Sequence, residues 1–271
     1  MNQQETEIPI VMVFSGLDPT GGAGLSADIE ALASMGCHVA PLATALTVQS
    51  TREASRFEAT DSLLLVEQAR TVLEDMPVQA FKIGMLANVE TVEVLHTLLS
   101  DYPEVPLVYD PVFSAGGGGE LAEPDVIAAV ANLLLPQTTV LTPNSVEARQ
   151  LGPQADTLDA CAQELLSLGC EFVLITGSHE RTPQVENTLY GNFRRLDSWT
   201  WPRLPDSYHG SGCTLASAIA GLLAQGLEPF TAIHEAQEYT WETLKHGYRT
   251  GMGQLTPNRL FWARGDEDKT E

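Results

Sequence analysis

Short apolar runs alternating with stretches of helical spacing constrain this chain more than any single motif. "IPIVMVF" (8–14) is a compact β-branched run followed by a loop rich in Gly, Asp and Pro, as at the end of a buried parallel strand. "GLSADIEALASMG" (24–36) then brings Leu25, Ile29, Leu32 and Ala33 to helical spacing and stops at Gly36. The same grammar recurs. Strand-like runs stand at "HVAPLATAL" (38–46), "AFKIGML" (80–86), "VPLVYD" (105–110), "TVLTPN" (139–144) and "FVLITG" (172–177), with amphipathic stretches over 61–75, 88–100, 124–135 and 158–168. Such alternation predicts an α/β fold with a mostly parallel sheet covered on both faces. Residues 184–207 break it and read as two short antiparallel strands at the sheet edge.

With no low-complexity linker and no internal repeat, residues 1–262 are expected to form one domain, and the charged stretch 263–271 a frayed tail. Acidic residues number 36 against 14 basic ones, and the resulting charge of −22 disfavours nucleic acid and anionic membranes as partners. The first residues lack the basic start of a signal peptide, and Gly36, His38 and Pro41 interrupt an uncharged stretch at 31–51. Cys37, Cys161, Cys170 and Cys213 form no C-x-x-C pair. Together these features predict a cytoplasmic protein with reduced thiols.

In an open α/β sheet the carboxyl ends of the strands form the ligand crevice. Asp18, Lys82 to Met85, Asp110, Asn144, Glu147, Thr176 and Gly177 fall at such ends. The loop "SGLDPTGGAGLSAD" (15–28) allows close backbone approach to a ligand, but lacks the lysine of a P-loop and the spacing of a dinucleotide fingerprint. Asp110 and Glu147 are hard oxygen ligands suited to Mg²⁺, while Glu147 equally fits the first turn of a helix begun by Asn144. In "HGSGCT" (209–214), Gly210, Ser211 and Gly212 offer backbone N–H groups at a helix start. Cys213 beside them is either a small buried residue or a thiol whose pKa that helix end lowers. The glycine run 116–119 reads as a flap near the crevice. Gln49 and Met85 are candidates for an amide and a thioether facing a ring, although Met is usually core filler.

Taken together, "SGLDPTGGAGLSADIEAL", "TALTVQST", "FKIGML", "YDPVFSAGGG", "LTPNSVEA" and "YHGSGCTLASAIA" resemble the hydroxymethylpyrimidine/phosphomethylpyrimidine kinases of thiamine biosynthesis, a branch of the ribokinase-like superfamily. The resemblance implies a three-layer α/β/α sandwich, a homodimer, and MgATP-dependent phosphorylation of the hydroxymethyl group of 4-amino-5-hydroxymethyl-2-methylpyrimidine. It implies a pyrimidine site at Gly16, Asp28, Gln49, Met85 and Val112. Asp110 and Glu147 would hold Mg²⁺, with Asn144, Thr176 and Gly177 toward the nucleotide phosphates. Gly210, Ser211 and Gly212 would form an anion hole and Cys213 the base. Two positions depart from the family pattern: "TGSH" stands where many bifunctional members have a lysine in a "KGGH"-like strand end, and the loop after Ala115 has only glycines where they carry a second lysine. Loss of both cations disfavours a second phosphorylation, of the monophosphate. Thr176 also resembles the pyridoxal kinases, which keeps vitamin B6 phosphorylation as the rival reading.

Overall fold

A computed structural model describes residues 8–114, 119 and 121–263. The glycine run at 116–118 and the stretch 264–271 lie outside the described residues. Nine strands form one sheet: β1 (Ile10–Leu17), β2 (His38–Gln49), β3 (Ala54–Ala59), β4 (Val78–Ile83), β5 (Leu107–Tyr109), β6 (Val140–Leu141), β7 (Phe172–Ile175), β8 (Gln184–Gly191) and β9 (Arg194–Pro202). Their order is β3-β2-β1-β4-β5-β6-β7-β8-β9. From β2 through β7 the neighbours are parallel, while β3 and the β8–β9 hairpin are antiparallel at opposite edges. Chain order reverses beside β1, which places a switch-point crevice above the carboxyl ends of β1 and β4.

The sandwich has the three layers expected. On one face α2 (Ser62–Asp75), α3 (Val89–Ser100), α4 (Pro124–Ala129), α5 (Ser145–Leu151) and α6 (Leu158–Ser167) bury Leu65, Leu95, Val126, Ala148 and Leu165 against Met12, Phe14, Phe81 and Leu141. On the other, α1 (Gly24–Ser34), α7 (Ser211–Ala224) and α8 (Pro229–Lys245) cover Val11, Val13, Val108 and Leu174. The entry points follow ordinary capping chemistry: Asp61, Asn88 and Thr157 each accept an N–H at the start of α2, α3 and α6. Each burying face removes apolar area from water at about 25 cal/mol per Å².

Two local expectations are corrected. In α1 the buried face is Leu25, Ala27, Asp28, Ala31 and Leu32, while Ile29 and Ala33 are exposed. The reason is helical spacing: the buried stripe runs through Leu25, Asp28 and Leu32, flanked by Ala27 and Ala31, with Leu32 against α7 where a Cβ on Gly221 would stand 3.1 Å from its Cδ2, and Ile29 and Ala33 turn away from it. The stretch 124–135 is not one α-helix: after Ala129 it widens into a π-turn over Val130–Leu134 and tightens into a 3₁₀ turn at Leu135–Gln137, which contains Pro136. Strand β3 was not anticipated, because "ASRFEA" is short, charged and exposed, as suits an edge. Pro41 fits inside β2 because the β3 ladder begins only at Ala45, leaving Pro41 where β2 has β1 as its partner.

Candidate active site

A cavity of about 500 Å³ opens above the carboxyl ends of the strands, within the range of small-molecule sites. Gly16, Gln49, Met85 and Val112 line one end, Asp110, Glu147 and the Gly210–Cys213 turn its middle, and Asn144 and Thr176 continue toward Trp201 and Trp241. Sequence residues far apart in the chain are thus brought together by the switch point. Asp28 and Gly177 are not in this wall. Gly177 lies behind it, donating its N–H to Asn187 Oδ1 at 3.1 Å, while its neighbours Thr176 and Ser178 face the cavity.

The loop after β1 is organised by Asp18. Its carboxylate accepts the N–H groups of Thr20 (2.8 Å) and Ala23 (2.9 Å) and the Thr20 hydroxyl (2.8 Å). Burial pushes its pKa up, but the hydrogen bonds from His209 and Thr20 outweigh that and hold it below the usual value. Gly24 takes φ +57° at the head of α1, and a Cβ there would stand 2.1 Å from Gly16 O. Only glycine permits that approach.

Gly210 caps α7 in the left-handed region at φ +87°, with no side-chain cap, so the first backbone donors of this long apolar helix remain available to a ligand. A Cβ on Gly210 would meet Gly22 O at 2.0 Å and Arg259 Nη2 at 2.8 Å. Arg259, fully buried, clasps both loops: Nε donates to Thr214 Oγ1 at 2.9 Å, Nη2 to Gly22 O at 2.5 Å and Nη1 to Glu30 Oε2 at 3.1 Å. Gly210→Ala is therefore expected to destabilise by at least the ~1–2 kcal/mol of a left-handed backbone. Thermal denaturation checks this, and an unchanged midpoint would contradict it.

Under the cavity floor lies a charge cluster that sequence reasoning missed. Lys82 Nζ sits 2.8 Å from Asp28 Oδ1, both side chains fully buried, and Ser217 Oγ donates to the same oxygen at 2.7 Å. Asp28 thus neutralises a buried ammonium and does not face the cavity as a pyrimidine ligand. Burial favours neutral Lys82, but Asp28, Cys213 and Asp110 together hold it firmly protonated. The signal was a lysine inside the apolar run "AFKIGML", which demands a buried partner. Its partner, on helix α1 and 54 residues earlier in the chain, has no local signature.

Cys213 is buried, and its thiol is pushed up to about 12. Burial is the largest cause, Lys82 opposes it, and the carboxylates of Asp110 and Asp28 add to it. The lowered thiol pKa expected of a helix start is thus overturned: desolvation and two nearby carboxylates outweigh the helix end and the ammonium. Asp110 is raised to about 6, chiefly by burial, against the pull of Lys82. Glu147 is raised to about 8, by burial and then by Asp110. Glu147 also completes a capping box, its Oε2 accepting the Asn144 N–H at 2.8 Å while Asn144 Oδ1 accepts from Val146 and Glu147. Glu147 is thus the helix-start residue expected, and it also lines the cavity.

Because the folded protein holds the Asp110 and Glu147 protons more tightly than the unfolded chain does, stability is expected to fall as pH rises from about 4 to about 8. The Asp110→Asn/Glu147→Gln variant should lose less stability over that window, as denaturant titrations at pH 5 and pH 8 would register. Equal losses in both proteins would contradict the assignment.

Comparison with known proteins agrees with this architecture. The family model described as phosphomethylpyrimidine kinase matches residues 18–258. A hydroxymethylpyrimidine/phosphomethylpyrimidine kinase of Streptomyces coelicolor is 35% identical over 95% of this chain and 96% of its own length. The one from Synechococcus elongatus is 34% identical over 91% and 95%. Among solved structures, phosphomethylpyrimidine kinase from Clostridium difficile 630 superposes with a TM-score of 0.75 at 30% identity, covering 88% of this chain and all of its own. The pyridoxal kinase from Staphylococcus aureus in complex with ADP reaches a TM-score of 0.86 at 24% identity, over 95% of each chain, a likeness of fold. With its motifs folded into a cavity at the switch point and 91–95% of its length matched by the two kinases of Synechococcus elongatus and Streptomyces coelicolor, the chain belongs to the hydroxymethylpyrimidine/phosphomethylpyrimidine kinase family, ribokinase-like in fold.

Proposed function

We propose that the protein transfers the γ-phosphoryl group of MgATP to the hydroxymethyl group of 4-amino-5-hydroxymethyl-2-methylpyrimidine, in thiamine biosynthesis. The observation that carries this reading is one continuous cavity that joins a ring-sized end (Gly16, Gln49, Met85, Val112) to an uncapped helix start (Gly210 to Cys213) beside two buried carboxylates. Phosphoryl transfer asks mainly for alignment and for neutralisation of charge on the transferring group, and backbone donors aimed at one point supply both. Trp201 and Trp241, stacked with ring centroids 6.4 Å apart, give the far end an aromatic wall for the nucleotide base.

Asp110 and Glu147 fit a magnesium ion. Asp110 Oδ2 is buried with no hydrogen-bond partner among the described residues, and two carboxylates plus substrate phosphates and waters are what Mg²⁺ ordinarily takes. Bound there, the ion would neutralise charge on the phosphates. Asn144 and Thr176 would hold those phosphates on the nucleotide side, and Cys213, acting as the thiolate once its own proton has left to solvent, would take the alcohol proton.

The alcohol is a better substrate than its monophosphate. Among described cavity-lining residues Arg203 is the one lysine or arginine, and its guanidinium is spent on the carbonyls of Thr182 (2.9 Å), Ser178 (2.9 Å) and Glu180 (2.8 Å). A second phosphate would find little positive charge. The working unit is a cytoplasmic homodimer, for which exposed Leu17, Leu46 and Val48, neighbours on β1 and β2, offer an apolar face. ADP release measured with the pyrimidine alcohol and with pyridoxal in parallel tests the reading: preference for the pyrimidine is expected, and preference for pyridoxal would replace it with the vitamin B6 activity.

A further inference from the structure

The imidazole of His209 lies between the glycine loop and the ring-sized end of the cavity. A Cβ on Gly22 would stand 2.5 Å from His209 Cδ2, so the ring packs directly on the loop backbone. His209 is buried, and its Nε2 has two neighbours at 2.8 Å: Asp18 Oδ2 and the end of the Gln49 amide assigned as nitrogen. Only one hydrogen is available on Nε2.

Asp18 decides where that hydrogen points. Its other contacts are all donors, from Thr20 N, Thr20 Oγ1 and Ala23 N, so it acts as an ionised acceptor and His209 Nε2 must donate to it. This holds whether the imidazole is neutral or charged. A protonated Nε2 cannot also accept from an amide NH₂, so the group that Gln49 presents to it is the carbonyl oxygen, which shares the one Nε2 hydrogen with Asp18 in a three-centre bond. Thr47 makes the same demand from the other end of the amide. Its hydroxyl donates to Leu17 O at 3.0 Å, leaving lone pairs for the second end of Gln49 at 3.2 Å, which is therefore the NH₂. Amide oxygen and nitrogen are told apart by their partners, and both partners require the same orientation.

We infer that Asp18 and His209 are positioning residues that fix the orientation of the Gln49 amide, and through it the selectivity for a ring bearing an amino group next to a ring nitrogen. With one amide hydrogen spent on Thr47 and one lone pair on His209, Gln49 keeps one N–H donor and one oxygen acceptor for the cavity it lines. That pair complements the acceptor and donor of an aminopyrimidine edge, as an amide matches adenine. A free amide could turn over and satisfy other rings; a locked one cannot, and a ring with the wrong edge leaves buried polar groups unpaired. The inference rests on the pyrimidine reading above.

The test is a ratio of affinities. Calorimetry would measure binding of the aminopyrimidine alcohol and of the same compound lacking the amino group, to the wild type, His209→Phe and His209→Gln, each checked for folding by its thermal midpoint. The wild type should favour the amino compound by about 100-fold or more. His209→Phe, which keeps a ring but no donor, should cut that preference at least about tenfold, an energy of ~1.4 kcal/mol. His209→Gln, which restores a donor toward Asp18, should recover most of it. Asp18→Asn carries the same expectation as His209→Phe should the latter not fold. A wild-type ratio near one, or a ratio unchanged in His209→Phe or in the Asp18→Asn substitute, would overturn the inference. ADP formation by the wild type, followed on the same samples, separately decides the kinase reading.

Discussion

Cys213→Ala is expected to lower kcat by about 10² to 10⁴, the span of a positioned acid or base, with nucleotide affinity little changed. The thiol stands at the head of α7 in the cavity wall, near Asp110, whose charge helps hold the thiol proton in place. Its own pKa, pushed up to about 12, means that the resting group is a thiol and not a thiolate. It serves as base only from its minor thiolate form, after its own proton has left to solvent. The alcohol proton leaves late in a loose phosphoryl-transfer transition state, when charge on the oxygen has already fallen, so alignment matters more than resting basicity. Cys213→Ser should keep part of the turnover, because a hydroxyl leaves a proton-carrying group at the same position. Steady-state ADP release with each variant decides the matter, and near-normal kcat in Cys213→Ala would reduce the residue to packing.

The second large effect concerns stability. Lys82→Met is expected to cost about 3–5 kcal/mol, because it leaves Asp28 buried without its counter-charge. The Asp28 carboxylate would retain Ser217 as its donor, and its Oδ2 already has no partner among the described residues. Pairing the change with Asp28→Leu removes the orphaned charge and should recover much of the loss. Urea titration of the single and double variants measures both numbers. A single variant within about 1 kcal/mol of wild type would show that the pair contributes little, as surface pairs do.

The parallel sheet was legible because each buried strand writes itself as a continuous apolar run with a polar residue at its end. What the runs could not show was β3, whose "ASRFEA" reads as surface, or the face of α1, whose buried stripe passes through the charged Asp28 and not through Ile29. In the site, Asp18, Met85, Asp110, Asn144, Glu147 and Thr176 converge as the strand ends predicted. Asp28 does not, because its partner Lys82 is 54 residues away and a sequence holds no record of which buried charges meet. The same blindness applies to His209 and Asp18, separated by 191 residues. Local chemistry is written locally; pairing across the fold is not.

The central claim is that this cavity phosphorylates a pyrimidine alcohol and is ill-equipped for its monophosphate. Phosphorus NMR of the products, with the alcohol and the monophosphate supplied separately with MgATP, tests it most directly. The account predicts a phosphate monoester from the alcohol and little pyrophosphate from the monophosphate. Efficient conversion of the monophosphate, or no ester from the alcohol, would contradict it.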